Sequence, residues 1–309
     1  MEVKVLRAGQ LTTVQDLGRR GHRGEGVASG GAMDPFSLRL ANLLVGNAEH
    51  APALEITLTA PELEFSEGAW VALCGARFSD LPGGKPAWVE PGQRLVLGKR
   101  LDGCRAYLAI AGGLDVEPVL GGRGTHLGAG FGGFAGRALR EGDVLRAVKS
   151  EWLLTGHWSV DERMLPRYGR EPVVRALSGA HALEFADALY TGSFRVSAQS
   201  DRMGLRLEGG VLERSTSREL LSSAVSPGTV QVPPDGRPIV LMADAQTLGG
   251  YPRVAHVASV DLPLLAQLAP GDSVRFARVT LAEAHALAHA QEHRFALLRQ
   301  GLAAKILRA

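Results

Sequence analysis

The chain has 309 residues, 45% apolar and 21% charged, which suits two globular domains and excludes a disordered or collagenous chain. Its 34 basic and 32 acidic side chains leave a net charge of +2, with no run of five like charges, so the electrostatic footprint of a nucleic-acid or anionic-membrane binder is missing. The 39 glycines, many in pairs such as Gly30-Gly31, Gly121-Gly122 and Gly249-Gly250, point to tight turns between many short strands.

The N-terminal stretch Met1-Glu-Val-Lys-Val-Leu-Arg7 alternates like a charged strand and does not resemble a secretory signal. No apolar run approaches the ~20 residues of a membrane span, so a cytoplasmic location is expected. Short apolar or β-branched runs bounded by turn residues predict strands over 2–6, 54–58, 70–73, 94–97, 106–111 and 144–148. Asp34 and Pro35 supply an N-cap and a first-turn proline for a helix over 36–44, ended by Gly46. Cys74 and Cys104 each lie in an apolar run, which predicts buried, reduced thiols. A second strand series is predicted over 173–177, 193–198, 229–232, 239–242 and 273–279.

Pro91-Gly92, Pro227-Gly228 and Pro270-Gly271 each place proline and glycine as a type II turn requires, directly before a strand. Asp235-Gly236 predicts a hairpin. Thr280 and Glu283 form a capping box for a tail helix whose apolar stripe runs through Ala284, Leu287, Phe295, Leu298 and Leu302. The expected fold class is therefore mainly β with a few helices, in barrels or sandwiches. Gly121-Gly122 and Gly142-Asp143 recur as Gly249-Gly250 and Gly271-Asp272 at nearly one offset, about half the chain. That echo predicts a duplicated domain, with residues 1–150 and 151–309 as the two halves and the tail helix in the second.

Several motifs carry less than they promise. Gly128-Ala-Gly-Phe-Gly-Gly133 matches the dinucleotide pattern but has no strand leading in and no helix opening out, so it reads as a glycine-rich loop. Gly84-Lys85 is followed by proline, not by the Ser or Thr of a phosphate-binding loop. His285, His289 and His293 recur every four residues, yet no Glu lies between them in an H-E-x-x-H frame and they flank the apolar stripe, so a solvated face is expected and no metal site. No nucleophile elbow is present.

Three segments mix amides, carboxylates and hydroxyls with glycines that bring backbone N–H groups close to a ligand: 10–34, Gln199-Ser-Asp-Arg-Met-Gly204, and Ala243-Asp-Ala-Gln-Thr-Leu-Gly-Gly-Tyr-Pro252. The last two are expected to line one cleft in the second domain that faces a partner protein.

Thr12-Thr-Val-Gln-Asp-Leu-Gly-Arg19, Ser29-Gly-Gly-Ala-Met-Asp34, Ala41-Asn-Leu-Leu-Val-Gly-Asn47, Tyr107-Leu-Ala-Ile-Ala-Gly-Gly-Leu-Asp115, Gln231-Val-Pro-Pro-Asp-Gly236 and the last two segments above resemble the KipA family. That family is also known as the C component of 5-oxoprolinase, as allophanate hydrolase subunit 2, or as biotin-dependent carboxyltransferase subdomains A and B. The resemblance runs in order from about residue 5 to residue 280. It implies two tandem cyclophilin-like β-barrel domains, and as partners a KipI-like B component and a LamB/YcsF-like A component. It also implies ATP-dependent (with Mg) opening of 5-oxo-L-proline to L-glutamate by the complex. The ATP site is expected to be shared with, or outside, this chain, and the isolated chain to be inactive. Many relatives read Gly-Ser-Arg-Ser-Thr where this chain has Gly121-Gly-Arg-Gly-Thr125.

For that chemistry, Arg19, Arg123 and Arg202 are candidate forks for a substrate carboxylate. Gln199, Ser200, Gln231, Gln246, Thr247, Gly249, Gly250 and Tyr251 are candidate substrate contacts, and Asp244 and Asp201 candidate bases or positioning groups. Two alternatives accompany this reading. One is the carboxyltransferase part of a biotin-dependent, urea carboxylase-like enzyme, for which the carrier's biotin attachment motif is absent here. The other is a non-catalytic protein antagonising a KipI-like kinase inhibitor.

Overall fold

Alternating side chains decide the layering of the N-terminal unit. In the strand Ala69–Phe78, Ala69, Val71 and Leu73 join one core while Ala72 and Cys74 join another. The strand Arg100–Ile110 divides the same way, with Leu108 and Ile110 on one face and Tyr107 and Ala109 on the other. These strands lie in a five-stranded sheet, in the order Leu11–Gln15, Ala53–Thr57, Arg100–Ile110, Ala69–Phe78, Pro86–Val89. A four-stranded sheet, in the order Arg94–Val96, Glu62–Phe65, Glu2–Arg7, Val144–Arg146, supplies Val3, Val5, Leu63 and Phe65 to the first core. The helix Pro35–Leu44 packs Phe36, Leu40 and Leu44 on the opposite face of the five-stranded sheet. Its N-cap is Asp34, whose Oδ1 accepts from Ser37 N at 2.9 Å.

The computed structural model describes residues 1–150, 152–154, 158–303 and 305–308. The chain divides into two compact units, one of Met1–Arg20, Gly30–Arg167 and the residues from Arg294 onward, the other of Gly21–Ser29 and Tyr168–His293. This division falls later than residue 150 and takes the end of the tail helix away from the second half. Glu151, the first residue of the expected second domain, lies outside the described residues. The physical reason is burial. Phe295 is fully buried in the N-terminal unit, 4.9 Å from the Phe36 ring and with the Arg39 guanidinium 3.7 Å above its own. Leu302 and Val160 bury in the same cluster.

The second unit is a closed seven-stranded barrel, Val173–Ser178, Arg253–Val257, Thr229–Gln231, Ile239–Leu241, Gly204–Gly209, Ser193–Val196, Ser273–Arg278. Closure runs through the one parallel pairing, Val173–Ser178 with Ser273–Arg278, and leaves no free edge in the ring. Phe194 and Phe276 are buried edge to face, 6.0 Å apart. The three Pro-Gly turns form as expected, with φ of 71° at Gly92, 93° at Gly228 and 91° at Gly271. The Asp235-Gly236 hairpin joins the antiparallel strands Thr229–Gln231 and Ile239–Leu241.

The capping box also forms: Thr280 N donates to Glu283 Oε2 at 2.7 Å and Glu283 N to Thr280 Oγ1 at 3.3 Å, opening the helix Leu281–Ala303. His285, His289 and His293 on this helix are exposed. Cys74 and Cys104 are buried free thiols, and burial pushes the Cys74 thiol up to about 12. Among the described residues, no helix is long and apolar enough to cross a membrane.

Candidate functional site

The barrel ladder brings two of the three polar segments together. Gly204 pairs with Leu241, and beyond that pair Met242 N donates to Met203 O and Asp244 N to Arg202 O, both at 2.9 Å. The segments Gln199–Gly204 and Asp244–Pro252 therefore leave the barrel side by side. A two-pronged ion pair locks them: Arg202 Nε donates to Asp244 Oδ2 at 2.8 Å and Nη2 to Oδ1 at 3.1 Å. The two side chains are only 6% and 5% exposed, so the pair is sealed from bulk water. Asp244 is thus a carboxylate committed to a guanidinium. Asp201 is exposed and holds its own turn, accepting from Met203 N at 2.8 Å and Gly204 N at 3.1 Å.

Around this pair lies an amide cluster. Gln231, 1% exposed on the strand Thr229–Gln231, accepts from Gln246 Nε2 at 3.4 Å and reaches Tyr251 O at 3.5 Å. A Cβ on Gly249 would stand 2.6 Å from Gln231 Nε2, so only glycine lets this amide lie against the ribbon that Leu248–Gly249 forms with Ser223–Ala224. Thr247 is buried and its carbonyl accepts from Val225 N at 3.0 Å, while Gln246 and Gly250 are exposed. Ser200 Oγ ties into the neighbouring strand, donating to Arg206 O at 3.3 Å and accepting from Arg206 N at 3.0 Å.

Gln199 and Tyr251, one from each segment, line a pocket of about 260 Å³ with Arg206, Asp235 and Arg237. Tyr251, 47% exposed, also borders a larger cleft of about 760 Å³. Sequence reasoning passes over Arg206, Asp235 and Arg237. The hairpin motif Pro233-Pro-Asp-Gly236 is the available signal for Asp235 and Arg237, because a turn at a barrel mouth carries its flanking charges to the rim; Arg206, on the strand Gly204–Gly209, has no such signal.

The candidates of the N-terminal unit are used differently. Arg19 is 1% exposed, donates from Nη2 to Gly124 O at 2.6 Å and from Nε to Val119 O at 3.4 Å, and lies 4.7 Å over the Phe131 ring. Arg123 donates to Val116 O at 3.0 Å, and its backbone N–H to Asp16 Oδ2 at 2.6 Å. The loop that matched the dinucleotide pattern is a run of turns folded onto Arg19. At Gly124, one of the departures from the relatives' pattern, a Cβ would stand 2.7 Å from Gln15 Oε1, a buried acceptor with no hydrogen-bond partner among the described residues. Beneath the Ser29–Asp34 segment, Glu55 Oε2 accepts from Met33 N at 2.9 Å and from Tyr107 OH at 2.7 Å. Burial, with Glu55 beside it, drives the Tyr107 phenol well above its usual range.

The carboxyltransferase domain, subdomain A and B, family profile matches residues 25–278. The chain belongs to this family. It is 45% identical over 292 residues to the C subunit of Escherichia coli 5-oxoprolinase, covering 91% of this chain and 93% of that protein. It is 36% identical to the C subunit of Haemophilus influenzae 5-oxoprolinase, over 94% of this chain and 95% of that one. The urea carboxylase of Kluyveromyces lactis superposes with a TM-score of 0.89 at 30% identity over 99% of this chain, which spans 30% of that larger protein.

Proposed function

We propose that the chain is the C component of an ATP-dependent 5-oxoprolinase, working with a KipI-like B component and a LamB/YcsF-like A component to convert 5-oxo-L-proline to L-glutamate. The observation that carries this reading is co-extension. The chain and its E. coli relative match over 91% and 93% of their lengths, whereas the urea carboxylase contains the same fold as under a third of a longer chain.

In this reaction water adds to the lactam carbonyl carbon, the ring C–N bond breaks, and the leaving nitrogen takes a proton, with ATP hydrolysis driving the opening. The chain contributes positioning. Asp244 fixes the Arg202 fork, Gln231 and Gln246 form an amide platform over Gly249, and Gln199 and Tyr251 border the small pocket beside them. The Arg202 fork is spent on Asp244, so the donors that face a substrate carboxylate or a developing oxyanion are the Gln199 amide and the Arg206 and Arg237 guanidiniums of the pocket lining. ATP and its Mg²⁺ belong to the complex in this reading, at a site shared with or outside this chain.

The superposition on urea carboxylase favours a second reading, carboxyl transfer to an acceptor nitrogen, in which biotin would be delivered by a separate carrier. Assembly separates the two. Co-expression with the KipI-like and LamB/YcsF-like proteins, followed by size-exclusion chromatography, should give one complex, since a shared site needs an interface on the order of 1,600 Å². Separate elution at micromolar concentration would remove the basis of the 5-oxoprolinase reading.

A further inference from the structure

The larger cleft, about 760 Å³, belongs to the second unit and adjoins the site described above along Pro233, Asp235 and the Gly250–Pro252 border. One wall is the irregular stretch 211–220, pinned by Leu212 N to Gly236 O and Ser215 N to Glu184 O, 2.9 and 2.8 Å. Its apolar lining is Phe185, Leu212 and Val232, all buried, with Pro233 beside them. Its volume falls in the range of small-molecule sites, about 300–1,000 Å³.

Arg214 lines this cleft and is incompletely used. Its Nε donates to Glu184 Oε2 at 2.5 Å and its Nη1 to Arg218 O at 2.8 Å, yet Nη2 is buried with no hydrogen-bond partner among the described residues. A guanidinium N–H withdrawn from water without an acceptor is costly, and an oxygen arriving from a ligand relieves that cost. The charges around it restrict the ligand. Arg214 and Arg218 are set against Glu213, Glu219 and Asp235 on the same lining, and Glu184 already faces Arg214. A multiply charged anion would meet three carboxylates. A zwitterion meets both signs at once, its carboxylate taking Arg214 and its ammonium the acidic rim, with its hydrocarbon part on Phe185, Leu212 and Pro233.

We propose that this cleft binds a free α-amino acid, recognised by Arg214 at the carboxylate and by the carboxylates of Glu213, Glu219 and Asp235 at the ammonium. This inference rests on the cleft alone and not on the reaction proposed above. Binding is therefore measured by calorimetry on the isolated full chain, with no turnover involved. L-Proline and 5-oxo-L-proline make a matched pair of probes, sharing ring and carboxylate and differing in ammonium against lactam; L-glutamate and inorganic phosphate complete the set. The expected result is saturable binding of L-proline or L-glutamate, at least about tenfold weaker binding of 5-oxo-L-proline and phosphate, and about tenfold loss on Arg214→Gln at unchanged melting temperature. Should Arg214→Gln unfold, Glu219→Gln, on the exposed rim and outside the smaller pocket, is expected to weaken the amino acids and leave 5-oxo-L-proline unchanged. Absence of amino-acid binding up to about 10 mM, equal affinity for proline and its lactam, or full affinity in the folded variant would each overturn the proposal.

Discussion

The two units use one vocabulary of arginine, carboxylate, amide and glycine for opposite ends. In the N-terminal unit Arg19, Asp16 and Arg123 bond to backbone groups of the stretch 116–124 and, at Gly18, of their own segment, so the polar cluster is a strut. In the barrel unit Arg202 and Asp244 pair with each other, and the neighbouring Gln199, Arg206, Arg237 and Tyr251 border open space. A polar, glycine-rich string thus marks a place where the backbone needs help. Whether it also meets a ligand depends on what the topology leaves uncovered, and a closed barrel leaves its ends.

Removal of the residues after His293 should have the largest effect and should fall on one unit only. It deletes Phe295 and Leu302 from the N-terminal core, a loss of about 5 kcal/mol or more from the two side chains together. Hydrogen exchange should show protection lost across the five-stranded sheet and kept in the barrel. Loss confined to the barrel would refute the assignment of the helix end.

Asp244→Ala comes next, and it sharpens the contrast from the other side. Taking away the carboxylate that faces a buried Arg202 should lower the stability of the barrel unit by about 3–5 kcal/mol, measured by urea denaturation. From sequence alone, an Asp244→Asn change is expected to touch either melting or turnover. Burial of the pair makes both fall together, because the group that positions also supports. Retained stability would mean that the pair is solvated in solution.

Arg19→Ala should cost about 2–3 kcal/mol through lost packing on Phe131 and lost bonds to Gly124 and Val119 carbonyls. Arg19→Lys should recover only part of this, since one ammonium nitrogen cannot stand at both the Nε and the Nη2 positions or lay a planar group over Phe131. In an assembled complex neither change should shift the KM for substrate if Arg19 is a strut, and a raised KM with normal melting would make it a ligand contact instead.

The smallest effect is expected at Cys74. Replacement by Ala should change stability by about 1–2 kcal/mol. With its thiol pushed up to about 12 by burial, Cys74 should resist alkylation at neutral pH until the protein unfolds. Rapid labelling of the native chain would contradict that burial.

Much of this architecture is legible from local signals, and the exceptions have physical causes. The Pro-Gly turns, the Asp34 cap, the Thr280 capping box and most strands read directly, because each depends on residues adjacent in the chain. Among the strands not expected, Leu11–Gln15 is too polar to read as apolar alternation, Glu62–Phe65 carries two Glu, and Pro86–Val89 opens on proline. Gly204–Gly209 is bounded by glycines and holds Arg206 and Glu208, and Arg253–Val257 carries Arg253 and His256. The expected unit boundary is misplaced because the burial of Phe295 against Phe36 spans 259 positions, and no local pattern reports it. At the site, the two polar segments stand out by composition and the ladder sets them side by side. Their mutual ion pair, and the rim charges of Arg206, Arg214 and Arg237, depend on which strands adjoin.

The central claim, that this chain is an essential part of an ATP-dependent 5-oxoprolinase, is tested most directly by an omission series. Glutamate formed from 5-oxo-L-proline and ATP is measured with this chain alone, with the KipI-like and LamB/YcsF-like components alone, and with all three. The account predicts turnover only from the complete set. Full turnover by this chain alone, or undiminished turnover when it is left out, would contradict it.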